Sequence, residues 1–303
     1  MRRALYLALN GEGRVSPNPM VGAVIVANDK IIGEGYHAYY GGPHAEVNAV
    51  NSVKDSCRHL LKQATMYVTL EPCAHYGKTP PCAELLVKIG IPRVVIAACD
   101  PNPLVAGKGI KILEDAGIEV HTGLLKDISE DINRRFIKAH TYTTPWIILK
   151  WAQSRNGFMA SFDDVGHPVP VKLSSSLSSV WMHRERAKVD AIMVGTNTKR
   201  IDRPKLNVRF WGGNSPKIVE ADSTKTCKKF AEDLRREGIT SLMVEGGPAL
   251  LSSFISEEVY DEIRVETSTG IIDKGILAPQ LPSGLMLVDS FICRGNLINV
   301  YRR

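Results

Sequence analysis

Three candidate metal donors, His44, Cys73 and Cys82, restrict what this chain can fold into more than any other feature of it. One imidazole and two thiols serve a single cation only if the fold carries them to a common point. Glu46 stands two residues after His44, and Pro72 directly precedes Cys73. Three protein donors leave the fourth tetrahedral position open, which separates a catalytic zinc centre from a closed structural one. A carboxylate at this spacing does not readily share the ion with His44, so Glu46 is the candidate proton carrier.

The surrounding pattern supplies elements that could bring the donors together. Val21 to Val26 is a continuous apolar run suited to a buried strand, Asn28-Asp29 a turn, and Ile31 to Tyr36 its hairpin partner. The spacing predicts a helix from about His44 to Val53, a strand over Met66 to Leu70, and a helix from Cys82 to Ile89 capped by Gly90. Strand over Arg93 to Ala98, helix over Gly109 to Ala116 and helix over Leu125 to His140 follow. Such alternation implies a sheet with helices on both faces. His44 and Cys82 then open two helices, and the partial positive charge there favours thiolate at Cys82.

Thr143-Thr144-Pro145 breaks the pattern, giving domains of 1–144 and 145–303, as expected at a length of 303 residues. The second half restarts with a strand over Trp146 to Lys150 and a helix that Ser174 to Ser176 could cap, running to Arg186. A strand over Asp190 to Gly195, a helix near Lys228 to Glu237 and a strand over Ser241 to Val244 lead to Glu245-Gly246-Gly247-Pro248 and a further helix.

Composition narrows the partners. No apolar run reaches the length of a membrane span, and Met1 to Leu9 reads as an amphipathic first helix because Asn10-Gly11 ends it without a cleavage site. The net charge of +6 suits anionic small molecules, while no Lys/Arg block points to nucleic acid. Six cysteines in a chain this long do not read as a disulfide framework, so a reduced, cytoplasmic location is expected.

His-x-Glu, a strand, Pro-Cys and a second Cys make up the signature of zinc deaminases, in which the Glu moves protons between water and a departing amine. A non-catalytic, zinc-stabilised interaction module is the structural alternative. Nucleic-acid and cytidine deaminases use Pro-Cys-x-x-Cys, whereas eight residues separate Cys73 from Cys82 here. The segment Pro72-Cys73-Ala74-His75-Tyr76-Gly77-Lys78-Thr79-Pro80-Pro81-Cys82 resembles the long zinc loop of the bifunctional deaminase-reductases of riboflavin biosynthesis, the RibD family. Ser16 to Gly22, Gly41 to Glu46 and Asp100 to Gly107 agree with it.

The resemblance implies a three-layer α/β/α cytidine-deaminase-like domain acting on a phosphorylated pyrimidine, diaminohydroxyphosphoribosylaminopyrimidine. It makes Asn18, Lys78 and Asn102 candidates for substrate contact, with turn chemistry beside proline the alternative for Asn18 and Asn102. The second half resembles the family's dihydrofolate-reductase-like α/β domain, which uses NADPH to reduce a ribosyl group to ribityl. Position by position, Ala152, Thr198, Asp202, Gly246 and Gly247 fall on the cofactor side, and Arg186, Leu206, Arg209 and Glu245 on the substrate side. Arg186 or Arg209 would pair the phosphate.

The second half departs from the family at several places. Leu-Asp-Gly is replaced by Arg155-Asn156-Gly157, an aromatic cofactor-contact position by Lys172, and the second acid of Asp-Asp-Pro by Arg203. Only 35 residues lie between Arg209 and Glu245, so this domain is shortened. Two readings follow: a working NADPH-dependent reductase, or a deaminase-only chain whose second half serves oligomerisation. The resemblance also implies a homo-oligomer, with a dimer favoured.

Overall fold

The computed structural model describes residues 1–76, 80–102, 105–195 and 205–303, and divides the chain into two compact units, Met1–Tyr142 and Thr143–Arg303. In the first unit, α1 (Arg2–Ala8) precedes the hairpin β1 (Gly22–Ala27) and β2 (Lys30–Tyr36). Asn28 and Asp29 turn this hairpin with φ of 50° and 58°, the left-handed conformation that short polar residues tolerate. Then come α2 (Ala45–Asn51), a 3₁₀ stretch (Asp55–Gln63), β3 (Thr65–Leu70), α3 (Cys82–Ile89), β4 (Arg93–Ala98), α4 (Lys108–Asp115) and β5 (Glu119–Thr122).

The sheet order is β2-β1-β3-β4-β5, antiparallel through the hairpin and parallel from β3 to β5. Period-two alternation divides β1 between two layers. Ala23 and Ile25 join the core under α2 and α3, while Val24 packs with Ala4 and Leu7 of α1 on the other face. Gly35 lets α2 lie close to β2: a Cβ there would sit 2.3 Å from the Ala49 amide nitrogen. The N-terminus of α2 is thereby fixed against the sheet, and with it His44 and Glu46.

The single helix expected over Leu125 to His140 is two helices, α5 (Lys126–Ile132) and α6 (Arg134–Thr141). Asn133 separates them. Its buried side chain accepts from the Met20 amide at 2.8 Å and donates to the Met20 carbonyl at 2.9 Å, copying one rung of a sheet ladder. That long-range pair ties the helix break to the loop bearing Asn18.

In the second unit, β6 (Trp146–Gln153), β7 (Phe158–Phe162) and β8 (Pro168–Pro170) precede α7 (Ser176–Arg186), which Ser175 caps by accepting from the Ser178 amide. There follow β9 (Ala191–Val194), β10 (Lys217–Glu220), α8 (Cys227–Arg236), β11 (Ser241–Glu245) and α9 (Pro248–Ser256). Strands β12 (Glu262–Thr267), β13 (Gly275–Leu277), β14 (Met286–Cys293) and β15 (Asn296–Arg302) complete it.

Seven strands form one sheet in the order β10-β9-β11-β6-β12-β15-β14, parallel from β10 to β12 and closed by the antiparallel terminal hairpin. Ile147, Leu149 and Trp151 face α8 and α9, and Ile148 faces Met182 of α7, so both faces are covered. Between Arg209 and β11 the chain supplies one strand, β10, which is an edge of the sheet, and α8.

Candidate functional site

A cavity of about 320 Å³ in the first unit is lined by His44, Glu46 and Cys73, and the buried Cys82 lies beside the two donors. His44 is the extended N-cap of α2, Glu46 lies in that helix's first turn, Cys73 follows β3, and Cys82 is the first residue of α3. The His44, Cys73 and Cys82 donor atoms all lie within 4.8 Å of one another. His44 Nδ1 is 3.5 Å from Cys73 Sγ and 3.4 Å from Cys82 Sγ. Two sulfurs and one imidazole nitrogen converging this closely fit a zinc ion in both donor softness and number, with one coordination position left over.

The Cys82 amide, at the start of α3, donates to Cys73 Sγ at 3.2 Å. The Cys82 thiol, that amide and His44 all stabilise charge on Cys73, drawing its thiol down to about 4. Cys82 is held above the ordinary thiol range by sharing its proton with Cys73 and by burial. The helix N-terminus therefore also reaches Cys73, because its free N–H points across the loop.

Glu46 is 3% exposed, and burial first, then the charge at Cys73, pushes its carboxyl up to about 7. A carboxyl poised there can both take and return a proton near neutral pH. His37 was not singled out by its sequence context. It is buried beside His44 with ring centroids 5.5 Å apart. Its Nδ1 is 3.0 Å from the Pro43 carbonyl, so Nε2 can accept from Asn18 Nδ2 at 3.1 Å. Asn18 and Asn102 line the cavity with His44 and Cys73, whereas Lys78 lies outside the described residues.

Glu71 also went unmarked in the sequence. Its buried carboxylate accepts from the amides of Asp100 (3.2 Å), Gly107 (3.0 Å), Gly109 (3.0 Å) and Ile110 (3.4 Å). It therefore binds the loop carrying Asn102 and the start of α4 to the residue next to Pro72-Cys73. Gly109 permits that approach, since a Cβ there would lie 1.9 Å from the Pro72 carbonyl oxygen. The only sequence signal was the neighbouring position of Glu71, which says nothing of its partners.

The second unit places its predicted residues differently. Arg186, in the last turn of α7, pairs with Glu245 at the end of β11 through two bonds, Nε to Oε1 at 2.8 Å and Nη2 to Oε2 at 2.7 Å. Burial opposes charge on Glu245, but Arg186 and then Lys150 outweigh it and hold the carboxyl below its ordinary range. Arg209 is exposed, its guanidinium 4.7 Å from the Phe210 ring, and its amide donates to His183 Nδ1 at 2.9 Å.

Leu206, at φ 50°, packs its side chain into the core with Met182 and Ile192. Ala152 lies near the end of β6, in register with Glu266. Gly195 and Gly246 follow the neighbouring strands β9 and β11, and Gly247 caps α9. A Cβ on Gly246 would meet Leu250 Cδ2 at 2.9 Å and the Gly195 nitrogen at 3.5 Å. Bare backbone at the C-terminal ends of adjacent parallel strands, before a helix, fits the pyrophosphate of a dinucleotide. Thr198 and Asp202 lie outside the described residues.

Comparison with known proteins matches residues 1–98 to the cytidine and deoxycytidylate deaminase zinc-binding region. Residues 145–230 and 223–272 match the RibD C-terminal domain. The second match is broken within the stretch where the chain is short. The riboflavin biosynthesis protein RibD of Bacillus amyloliquefaciens is 38% identical over 341 aligned positions, covering 94% of this chain and 87% of the relative. Its counterpart in Aquifex aeolicus (strain VF5) is 36% identical over 320 positions, covering 91% and 88%.

Among solved structures, Acinetobacter baumannii RibD superposes with a TM-score of 0.88 at 30% identity, covering 99% of this chain and 97% of that one. A Thermotoga maritima protein, described as a diaminohydroxyphosphoribosylaminopyrimidine deaminase/5-amino-6-(5-phosphoribosylamino)uracil reductase, gives 0.90 at 32% identity, covering 100% and 97%. The likeness runs through both units. Among the described residues, no helix is long and apolar enough to cross a membrane.

Proposed function

This chain belongs to the RibD family of riboflavin biosynthesis proteins, and from that premise we propose how its two units divide the chemistry. The first unit deaminates diaminohydroxyphosphoribosylaminopyrimidine by hydrolysis. The second reduces the product, 5-amino-6-(5-phosphoribosylamino)uracil, with NADPH. The observation that carries the first step is the convergence of His44, Cys73 and Cys82 beside a buried Glu46.

Those three residues hold the zinc ion, which when bound supplies Lewis acidity at an open coordination position. Glu46 takes a proton from the attacking water and delivers it to the amino nitrogen of the pyrimidine. As the new C–O bond forms, the C–N bond breaks and ammonia leaves; the water oxygen becomes the carbonyl oxygen. His37 keeps Asn18 oriented toward the substrate, and the Glu71 clamp keeps Asn102 there. Lys78 is assigned to the same substrate on the family match alone.

In the second unit NADPH, when bound, would supply the hydride for reducing the open, Schiff-base form of the ribosylamine. Gly246 and Gly247 receive the cofactor's pyrophosphate; Ala152, Thr198 and Asp202 are assigned to the cofactor on the family match alone. Arg209 pairs the substrate phosphate, because Arg186 is already committed to Glu245. Leu206 holds the Arg209 segment through its core contact. Ammonia release from the pyrimidine phosphate by the zinc-loaded protein, followed by NADPH oxidation, is the direct test. Ammonia release without any NADPH oxidation would favour the deaminase-only reading.

The protein acts as a homodimer through its second unit, supported by the edge strand β14. Met286, Leu287, Val288 and Ile292 are exposed on it, a run of apolar side chains where edge strands ordinarily carry charge. Sedimentation of Ile292→Lys as a dimer indistinguishable from the parent would refute this interface.

A further inference from the structure

The zinc-deaminase family match ends at residue 98, but the cavity extends beyond it. Phe136 and His140 of α6 form part of its wall, from a helix the generic zinc-binding region does not include. These two residues are organised before any ligand arrives. His140 Nδ1 lies 2.9 Å from the Phe136 carbonyl one turn earlier, and the rings meet at 4.2 Å between centroids with a tilt of 41°.

Because the peptide carbonyl can only accept, Nδ1 carries the hydrogen and Nε2 is the ring nitrogen that this bond leaves over. Both side chains are half-buried, so the ring is held by an intrahelical bond and a stacked neighbour and loses little freedom on binding. Asp100 shares this wall. Its carboxyl is raised by burial and drawn back partly by His140 and His75, which places both imidazoles within its electrostatic reach. The wall thus combines an apolar ring, a fixed imidazole and a carboxyl, apart from the donors that close the metal end.

We propose that His140, backed by Phe136, is a specificity-determining residue of the deaminase cavity, its Nε2 accepting a hydrogen bond from a hydroxyl of the substrate's ribose phosphate. A base at the metal end needs no such contact; a base carrying a sugar phosphate does. This assignment rests on the deaminase reading above. It distinguishes the cavity from the generic zinc-deaminase site by a residue that touches neither the metal nor the reacting carbon.

Ammonia release by the full-length, zinc-loaded protein tests it, comparing the parent with His140→Phe and His140→Gln. His140→Phe should raise KM about tenfold or more while kcat stays within about threefold, the loss expected for one hydrogen bond to a polar or charged partner. Zinc content should remain unchanged, and His140→Gln should recover part of the loss because its amide can still reach. With the dephosphorylated substrate the penalty should persist, because the ribose hydroxyls remain; a penalty that disappears places the contact on the phosphate and overturns the assignment. An unmoved KM in His140→Phe, or a fall in kcat accompanied by zinc loss, overturns the assignment. An inactive parent protein would sink the deaminase reading itself and this assignment with it.

Discussion

The two units use polar side chains in opposite ways. In the first, they converge on a cavity and leave chemistry-bearing atoms at it: His44 and Cys73 with Cys82 beside them, a buried Glu46, and the His37–Asn18 pair. In the second, buried charges are spent largely on one another. Arg264, 7% exposed, donates to Glu262 and to Glu185 at 2.6 Å each, and Lys188 reaches Glu185 at 3.0 Å. Burial opposes charge on Glu185, yet Arg264 and Lys188 outweigh it and hold the carboxyl at about 2. One unit keeps its ionisable groups available for a metal and substrate; the other neutralises them by pairing. A site of the first kind can be tested by its chemistry, and one of the second kind also by its stability.

Metal removal should separate the units most sharply. Chelation of zinc, or Cys82→Ser, should abolish ammonia release while NADPH binding, followed by titration, is unchanged; parallel loss of both would end the division of labour. Glu46→Gln comes next, lowering kcat for ammonia release by about 10²–10⁴ with zinc content intact. Residual turnover above a tenth of the parent's would remove Glu46 from the proton-carrier role.

A smaller effect is expected from the ion pair of the second unit. Arg186→Met leaves Glu245 buried without its partner and should destabilise that unit by about 3 kcal/mol in urea unfolding. Adding Glu245→Leu should recover most of that loss, which a purely electrostatic contribution from each residue separately would not allow.

The least effect is a pH dependence. Burial, then Arg186 and Arg209, holds the His183 imidazole down to about 4, and its Nδ1 accepts the Arg209 amide only when unprotonated. Between about pH 6.5 and 4 the unfolded chain therefore binds a proton that the folded chain refuses, so stability falls as pH is lowered through that window. The gap in unfolding free energy between parent and His183→Asn should narrow from pH 7.5 to pH 4.5. A constant gap would show that His183 does not titrate with folding.

Much of the first unit was legible because its signals are local. Asn28-Asp29 occupy left-handed positions that mark a hairpin, and Gly90 ends α3 at φ 72°. His44, Glu46 and Cys82 fall at helix starts set by their own neighbours. What stayed hidden depends on contacts between distant residues. The helix break at Asn133 comes from a pair of bonds to Met20, and nothing within α5 or α6 announces it. The Glu71 clamp needs four amides brought in from residues 100 to 110. The strands after residue 260 also went unread, although Glu262, Arg264 and Glu266 are buried on one of them. Their charges read as exposed until partners from α7 and β15 arrive.

The sequence by itself determined the donor set, the carboxylate beside it, the order of elements and, through the eight-residue interval before Cys82, the family. These are matters of residue type and spacing along the chain, and they persist whatever lies nearby. Tertiary structure decided that the Cys82 amide reaches Cys73, that Arg186 is committed to Glu245, and that α6 supplies Phe136 and His140 to the cavity. Each of those outcomes depends on which N–H, carboxylate or ring approaches through space, where electrostatic and hydrogen-bond energies change over a few ångströms.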